Sequence, residues 1–99
     1  MSVTSVLDFQ FKPEAADDAL ALLKRILVDT RAFDGCEGVE VLQDQADPAH
    51  IIAIEHWVSP EQDAAYRAWR ATDEGAIPDL PPLLAGAPRA AVCVQRDDI

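Results

Sequence analysis

The strongest constraint on the fold of this 99-residue chain is the order in which two kinds of apolar pattern follow one another. Four short segments have apolar residues at every second position, as β-strands do, and two longer segments have them at helical spacing. The order is β-α-β-β-α-β, which is typical of a ferredoxin-like α+β fold with an antiparallel sheet. The predicted strands are 3–11, 39–43, 50–58 and 89–96, and the predicted helices are 13–33 and 60–72.

The second predicted helix has a clear start. Ser59 is placed as its N-cap, Pro60 occupies its first position, and Gln62 completes a capping box. Helical spacing predicts an inner stripe on this helix with Tyr66 at its margin, and the stripe consists of Ala65, Ala68, Trp69 and Thr72. The segment after it, 73–88, contains too many prolines for a long helix and is predicted to pack as a lid or rim.

Length and composition indicate one globular domain spanning residues 1–99, since 49% of the residues are hydrophobic and 26% are charged. Eighteen acidic and eight basic residues give a net charge of -10, so nucleic acid and anionic membrane surfaces are poor partners. No apolar run reaches the roughly 18–20 residues that cross a bilayer. The N-terminus has no signal-peptide pattern, so we expect a cytoplasmic chain with reduced cysteines.

The predicted topology places both helices on one face of the sheet. The other face then carries isoleucine and valine side chains that no segment of this chain covers. An uncovered apolar sheet face indicates a partner, and a second copy packed sheet against sheet is the simplest one. We therefore expect a homodimer.

No motif for a common cofactor or metal is present. The chain lacks GxGxxG, a Walker loop, HExxH and GxSxG, and Cys36 and Cys93 form no metal-binding pattern. His50 and His56 lie on one strand about 20 Å apart, too far to share a metal ion. We therefore expect neither a metal nor a cofactor.

Candidate chemistry is concentrated on one face of the third predicted strand. Glu55 and Trp57 share this face, and a carboxylate covered by helices needs a hydrogen-bond partner. Arg89, Tyr66 and Arg70 are the candidate partners. The alternative interpretation is structural: Glu55 holds backbone or an arginine, and the aromatic side chains only fill the core.

Three blocks of sequence together resemble the antibiotic biosynthesis monooxygenase (ABM) family. They are Asp34-Gly35-Cys36-Glu37-Gly38, the Leu42-Gln43-Asp44 turn that continues to Asp47-Pro48, and Glu55-His56-Trp57-Val58-Ser59-Pro60-Glu61. The resemblance covers about residues 3–96. It implies a homodimeric α+β barrel with an apolar pocket between the sheet and the helices of each subunit.

The resemblance also implies a range of activities. Some members oxidise polycyclic aromatic phenols or quinols with O2 and use no metal, flavin or haem, because the deprotonated substrate supplies the electrons. Others degrade haem or isomerise small phosphorylated sugars. Many members have a histidine nine residues after the tryptophan, where this chain has Tyr66, a poor base at neutral pH. Haem degradation is disfavoured because this histidine and a first-strand asparagine are missing; the chain has no asparagine.

These observations predict a cofactor-independent monooxygenase that oxidises a small aromatic phenol or quinol with O2 as co-substrate. Trp57 is expected to stack on the substrate, Tyr66 and Arg89 to hydrogen-bond its oxygens, and Arg89 to stabilise phenolate charge. Glu55 is expected to orient Arg89 or accept a proton, and His50 is a second candidate base. Residues 76–85 are expected to close over the ligand. The predicted substrate-binding residues are Trp69, Ile51, Ala53, Leu80 and Leu83.

Two other functions remain open because fold does not fix function. One is a non-catalytic small-molecule-binding or stress-response barrel of the same fold. The other is an isomerase of a small polar substrate.

Overall fold

A single four-stranded antiparallel sheet forms the centre of the computed structural model, which describes residues 1–99. The strand order is β2-β3-β1-β4, and every neighbouring pair is antiparallel. Together with the two helices this confirms the predicted ferredoxin-like α+β fold. The strands are β1 (Val3–Gln10), β2 (Cys36–Gln43), β3 (His50–Trp57) and β4 (Arg89–Cys93).

Two helices pack on one face of this sheet. They are α1 (Ala16–Ala32) and α2 (Pro60–Arg70). A short 3-10 turn, Pro13–Ala15, leads into α1, and a second one, Pro81–Leu83, lies in the connection from α2 to β4. Gly35 closes the turn between α1 and β2 in the left-handed region (φ +91°), where a Cβ would also collide with the Gln62 side chain.

Strict alternation defines the two faces of the sheet. In β3 every second residue from Ile51 to Trp57 is buried, and in β1 the buried positions include Val3, Ser5 and Phe9. This is the face that the sequence pattern assigned to the core. The main hydrophobic cluster joins these strands to α1 through Ala19, Leu23 and Leu27, together with Phe9, Phe11, Ala49, Ile51 and Ala53.

The outer strands differ from the prediction. β2 begins at Cys36 rather than 39 because a bulge between Cys36 and Gly38 lets the turn residues pair with β3. β4 ends at Cys93 rather than 96, where its pairing with β1 stops at Thr4. All five residues of β4 are exposed.

The predicted inner stripe of α2 is wrong except for Trp69, which is half-buried and packs against Trp57 and Tyr66. Asp63 and Tyr66 are its buried residues, whereas Ala65, Ala68 and Thr72 are exposed. The burial of Asp63 and Tyr66 is compatible with their polarity because both form hydrogen bonds across the interface with β1 and α1. Hydrophobicity alone places these two residues outside the stripe.

The second face of the sheet is uncovered, as the sequence predicted. Val6, Ile52 and Ile54 are half-buried there, and the neighbouring Leu42 is 47% exposed. No helix or loop of the chain packs over this surface, which we call the open sheet face. Neither α1 nor α2 has the length and apolar content that a membrane-crossing helix needs.

The N-cap of α2 gives a first testable prediction. Ser59 Oγ accepts a hydrogen bond from the backbone N–H of Gln62 at 3.3 Å, as the sequence predicted. Replacing Ser59 with alanine removes this acceptor and lowers the free energy of unfolding by about 1 kcal/mol. In a domain of this size the melting temperature then falls by about 4–8 °C. Differential scanning calorimetry measures it, with Ser2→Ala as an exposed control; equal melting temperatures for the two variants would contradict the assigned cap.

Candidate functional site

A cavity of about 290 Å³ lies between the sheet and the two helices. The segment that connects α2 to β4 closes one side of it, as expected for residues 76–85. Most of the wall is apolar, and the charged groups come from β3 and α2. The lining residues are Leu7, Phe9, Leu23, Ile26, Leu27, Ala53, Glu55, Tyr66, Arg67, Arg70, Ile77, Leu80, Pro81 and Pro88.

Glu55 is the only carboxylate of the cavity wall, and its side chain is 3% exposed. Its Oε1 accepts hydrogen bonds from Trp57 Nε1 (3.2 Å) and Arg67 Nη2. Its Oε2 has no hydrogen-bond partner in the chain. One oxygen of this carboxylate is therefore fixed by the protein, and the other is available to a ligand.

Arg67 connects two buried carboxylates. Besides Glu55 it bonds Asp63 Oδ1 at 3.2 Å, one helical turn earlier on α2. Asp63 is 5% exposed and also accepts a hydrogen bond from Ser5 Oγ on β1 at 2.8 Å. Burial of a charge without a partner is costly, so this network is what allows both carboxylates to stay under the helices.

Tyr66 presents its hydroxyl to a second polar network. Thr30 Oγ1 on α1 lies 2.6 Å from the Tyr66 oxygen, and Arg70 Nε donates to it at 2.7 Å. Arg70 also donates to Thr30 Oγ1 and to the carbonyl oxygens of Ile26 and Gly75, at 3.1, 3.0 and 3.2 Å. This arginine therefore ties α2 to α1 and to the following loop through neutral acceptors.

An aromatic cluster fills the space behind the cavity. The ring centres of Trp57 and Tyr66 are 5.0 Å apart, and Phe33 lies 5.2 Å from Tyr66 and 6.1 Å from Trp57. Trp57 is completely buried, and neither it nor Trp69 belongs to the cavity wall. The expected stacking of Trp57 on a substrate is therefore wrong, because its side chain is enclosed in the core and packs against the Phe33 and Tyr66 rings. Trp57 instead holds Glu55 through its indole N–H.

Some of the other predicted residues do meet at the cavity. Ala53 and Leu80 line it together with Glu55 and Tyr66. Ile51, two residues before Ala53 on β3, is fully buried in the main core and does not reach the cavity wall. Leu83 lines a separate groove between the connecting segment and α1.

Arg89 and His50 are on the wrong side of the sheet for the roles expected of them. Arg89 pairs with Asp8 in the register of β4 with β1, so both belong to the open sheet face. His50 bonds Asp8 and Asp44, each at 2.8 Å, on that same face. Neither side chain reaches the cavity, which corrects the predicted phenolate contact of Arg89 and the predicted base role of His50.

The sequence interpretation missed the partner of Glu55. Arg89, Tyr66 and Arg70 were the candidates, and the structure shows Arg67. Pairs four residues apart on a helix face one another, so the spacing of Asp63 with Arg67 was a usable signal. Within residues 1–99 no group of three or more histidine, cysteine, aspartate or glutamate side chains is arranged to hold a metal ion. Both cysteines are free.

Comparison with known proteins identifies the family. The model of the antibiotic biosynthesis monooxygenase family matches residues 2–75, and the chain therefore belongs to that family. A comparison with curated proteins finds no match.

Solved structures share the fold over almost the whole chain. A Deinococcus radiodurans protein assigned to the antibiotic biosynthesis monooxygenases is similar with a TM-score of 0.80 and 25% identity, covering 98% of this chain and 95% of that one. One from Chloroflexus aurantiacus has a TM-score of 0.72 and 25% identity, covering 97% and 96%. A Mycobacterium tuberculosis protein has a TM-score of 0.81 and 20% identity, covering 98% and 97%.

The placement of His50 generates a pH prediction. Hydrogen bonds to Asp44 and Asp8 raise the pKa of His50 above its ordinary value. A pKa raised by folding adds stability below the unfolded value, near 6.5, and this stability is lost as the pH rises through the higher folded value. The wild-type protein should therefore melt above His50→Gln at about pH 6, and this difference should shrink by about pH 9.

Thermal melts of both proteins across this pH range measure the effect. The control compares Asp44→Asn with the double variant Asp44→Asn/His50→Gln, because Asp44→Asn removes the first of the two carboxylates that contact His50. The difference in melting temperature between these two variants should depend less on pH. A difference that grows from pH 6 to pH 9 would contradict the assignment.

Proposed function

We propose that this protein is a cofactor-independent monooxygenase that oxidises a small aromatic phenol or quinol with O2. The observation that carries the proposal is an apolar cavity with one buried carboxylate, Glu55, whose Oε2 has no partner in the chain. Apolar cavities with a few convergent polar groups are the usual form of a site for a small organic ligand. That the reaction uses no metal, flavin or haem is part of the proposal and follows from the family resemblance.

Size and wall chemistry support a ring compound. A volume of about 290 Å³ is at the lower limit of small-molecule sites, which favours a compound of up to three fused rings over a larger polycycle. Leu7, Ile26 and Leu80 offer no hydrogen bonds to a ligand. Each sugar hydroxyl buried against such a wall without a partner costs about 1–3 kcal/mol, whereas an aromatic ring is stabilised there.

Proton transfer is the first step that the site would assist. The phenol O–H bond breaks and its proton goes to Glu55 Oε2, while the electron pair stays on the substrate oxygen as a phenolate. The negative charge thereby moves from Glu55 to the substrate, and the Arg67 and Arg70 guanidinium groups stabilise it. The number of charges in the cavity is therefore the same before and after the proton transfer.

Electron transfer then needs no reductant other than the substrate. The phenolate passes one electron to O2, and the resulting radical pair forms a carbon–oxygen bond at the ring. For a substrate with a ring CH2 group, one oxygen atom replaces the two hydrogens as a carbonyl, and the other leaves as water. The apolar wall excludes bulk water from this reaction.

Substitution of Glu55 tests the proposal. Oxygen uptake with a panel of hydroquinones and anthrones should exceed the uncatalysed rate, and Glu55→Gln should lower kcat/KM by about 100-fold or more, because general base catalysis typically contributes that much. Glu61→Gln is the matched control, an exposed glutamate on α2. With ¹⁸O2, one labelled oxygen should appear in the product.

Two results would overturn this function. One is oxygen uptake no faster than uncatalysed oxidation for every compound of the panel. The other is a Glu55→Gln variant that retains wild-type kcat/KM while remaining folded by circular dichroism.

The rival functions each have one supporting observation. Mutual packing of Phe33, Trp57, Tyr66 and Trp69 favours a binding barrel without catalysis, because these rings stabilise the fold rather than contact a ligand. Two arginines at the cavity favour an isomerase of a phosphorylated sugar. Tight ring binding without oxygen uptake would support the first, and preferential binding of a sugar phosphate would support the second.

We further propose that the working form is a homodimer joined through the open sheet face. Val6, Ile52 and Ile54 form an apolar strip there that one chain leaves partly in water. Burial of apolar area is favourable by about 25 cal/mol per Å², and a second copy offers the same strip about a two-fold axis. The resemblance to the family implies the same arrangement.

A charge placed on this strip tests the dimer. Ile52→Glu should shift the molar mass in light scattering from that of two chains to that of one, because a carboxylate would be buried without a partner. Val28→Glu, on an exposed position of α1, should leave the mass unchanged. A wild-type protein with the mass of one chain at micromolar concentration would contradict the proposed dimer.

A further inference from the structure

Arg70 differs from the other charged groups of the cavity because it has no counter-ion. Arg67 forms salt bridges with both Glu55 and Asp63. Arg70 forms no salt bridge with any carboxylate of the chain. Its acceptors are the Tyr66 and Thr30 hydroxyl oxygens and two backbone carbonyls.

The guanidinium also retains hydrogen-bonding capacity. Arginine has five N–H groups, and Arg70 uses four of them within the chain, which leaves one N–H of Nη1 without a partner. Stacking holds the group in place, because its carbon lies 4.8 Å from the ring centre of Trp69 and 5.2 Å from that of Tyr66. The cation is therefore fixed before any ligand arrives.

We propose that Arg70 is an anion-binding residue of the cavity and that the ligand is an aromatic acid, a ring that carries a carboxylate. This inference deepens the proposed function and rests on the same cavity as the ring-binding site. Charge-assisted hydrogen bonds from arginine to carboxylate are about twice as strong as neutral ones. The apolar wall contacts the ring, and Arg70 binds the charged group beside the Tyr66 hydroxyl.

The position of Arg70 also constrains where the carboxylate of the ligand would bind. The Arg67 and Arg70 guanidinium carbons lie 4.9 and 5.2 Å from the centre of the same Tyr66 ring. The carboxylate would therefore lie on the α2 side of the cavity, close to the Tyr66 side chain.

A matched pair of probes tests this inference without requiring turnover. 2-Naphthoate and 2-naphthamide have nearly the same shape, but only the first is charged, and neither has a phenolic hydroxyl. Isothermal titration calorimetry at about 0.15 M salt should give a dissociation constant at least about tenfold lower for the acid, which corresponds to about 1.4 kcal/mol. Ribose 5-phosphate, as a third probe, should bind more weakly than 2-naphthoate.

Arg70→Met removes the charge but keeps an unbranched side chain of similar length. In this variant the preference for the acid should fall to about twofold or less, whereas Arg70→Lys should retain part of it. Arg25→Met is the control, since Arg25 is exposed and pairs with Asp79 outside the cavity. If Arg70→Met does not fold, Arg70→Lys decides: its preference for the acid must be smaller than that of the wild-type protein.

The outcomes separate the two proposals. Equal binding of acid and amide by the wild-type protein would overturn the anion site and leave the aromatic cavity in place. Binding of neither naphthalene compound would overturn both the anion site and the proposed function. Tighter binding of ribose 5-phosphate than of 2-naphthoate would replace the aromatic acid by a sugar phosphate. A preference for the acid that is the same in the wild-type protein, in Arg70→Met and in Arg70→Lys would show that Arg70 does not cause it.

Discussion

The arrangement of this molecule depends on one arginine, Arg67, which bridges two carboxylates buried between the sheet and α2. Glu55 comes from β3 and Asp63 from α2, so the bridge joins the two layers of the fold. Removing one partner of a buried ion pair typically costs about 3–5 kcal/mol, because the other charge is left uncompensated. The same bridge occupies Oε1 of Glu55 and leaves Oε2 free. A structural requirement of the interface therefore produces the group that we propose as the base of the cavity.

The position of the cavity follows from the division of the core into two parts. One part joins β1, β3 and α1 through aliphatic residues and phenylalanines, and the other consists of Val3, Trp57 and Tyr66 with their aromatic neighbours. Small side chains, Ser5 and Ala53, occupy the strands between them. A close-packed core needs side-chain volume at every position. Because these two side chains are small, they leave space, which the polar network and the cavity occupy. The site exists where the two parts of the core do not meet.

The fold could be predicted from the sequence because the patterns that specify its strands and helices are local. Alternation along β1 and β3 and the cap at Ser59 are visible in any short window, and both are present in the structure. The side of α2 that faces the sheet was harder to predict, because Tyr66 and Asp63 are buried only through hydrogen-bond partners on other elements. The face of Arg89 depends on the register between β1 and β4, which no local pattern specifies. By contrast, His50 and Glu55 are five residues apart on one strand, so their side chains point to opposite faces of the sheet. A stricter use of this alternation would have excluded His50 as a base in the cavity.

The acidic composition of the chain and the charges at the cavity act over different distances. A net charge of -10 repels anions at long range, but salt at physiological strength screens exposed charges beyond about 8 Å. Inside the cavity the low-polarity wall weakens screening, so the nearest charges dominate the interaction with a ligand. There the wall has two guanidinium groups and one carboxylate. With Asp63, which pairs with Arg67, these charges cancel, so a ligand in the cavity meets a far less negative environment than the net charge of the whole chain suggests.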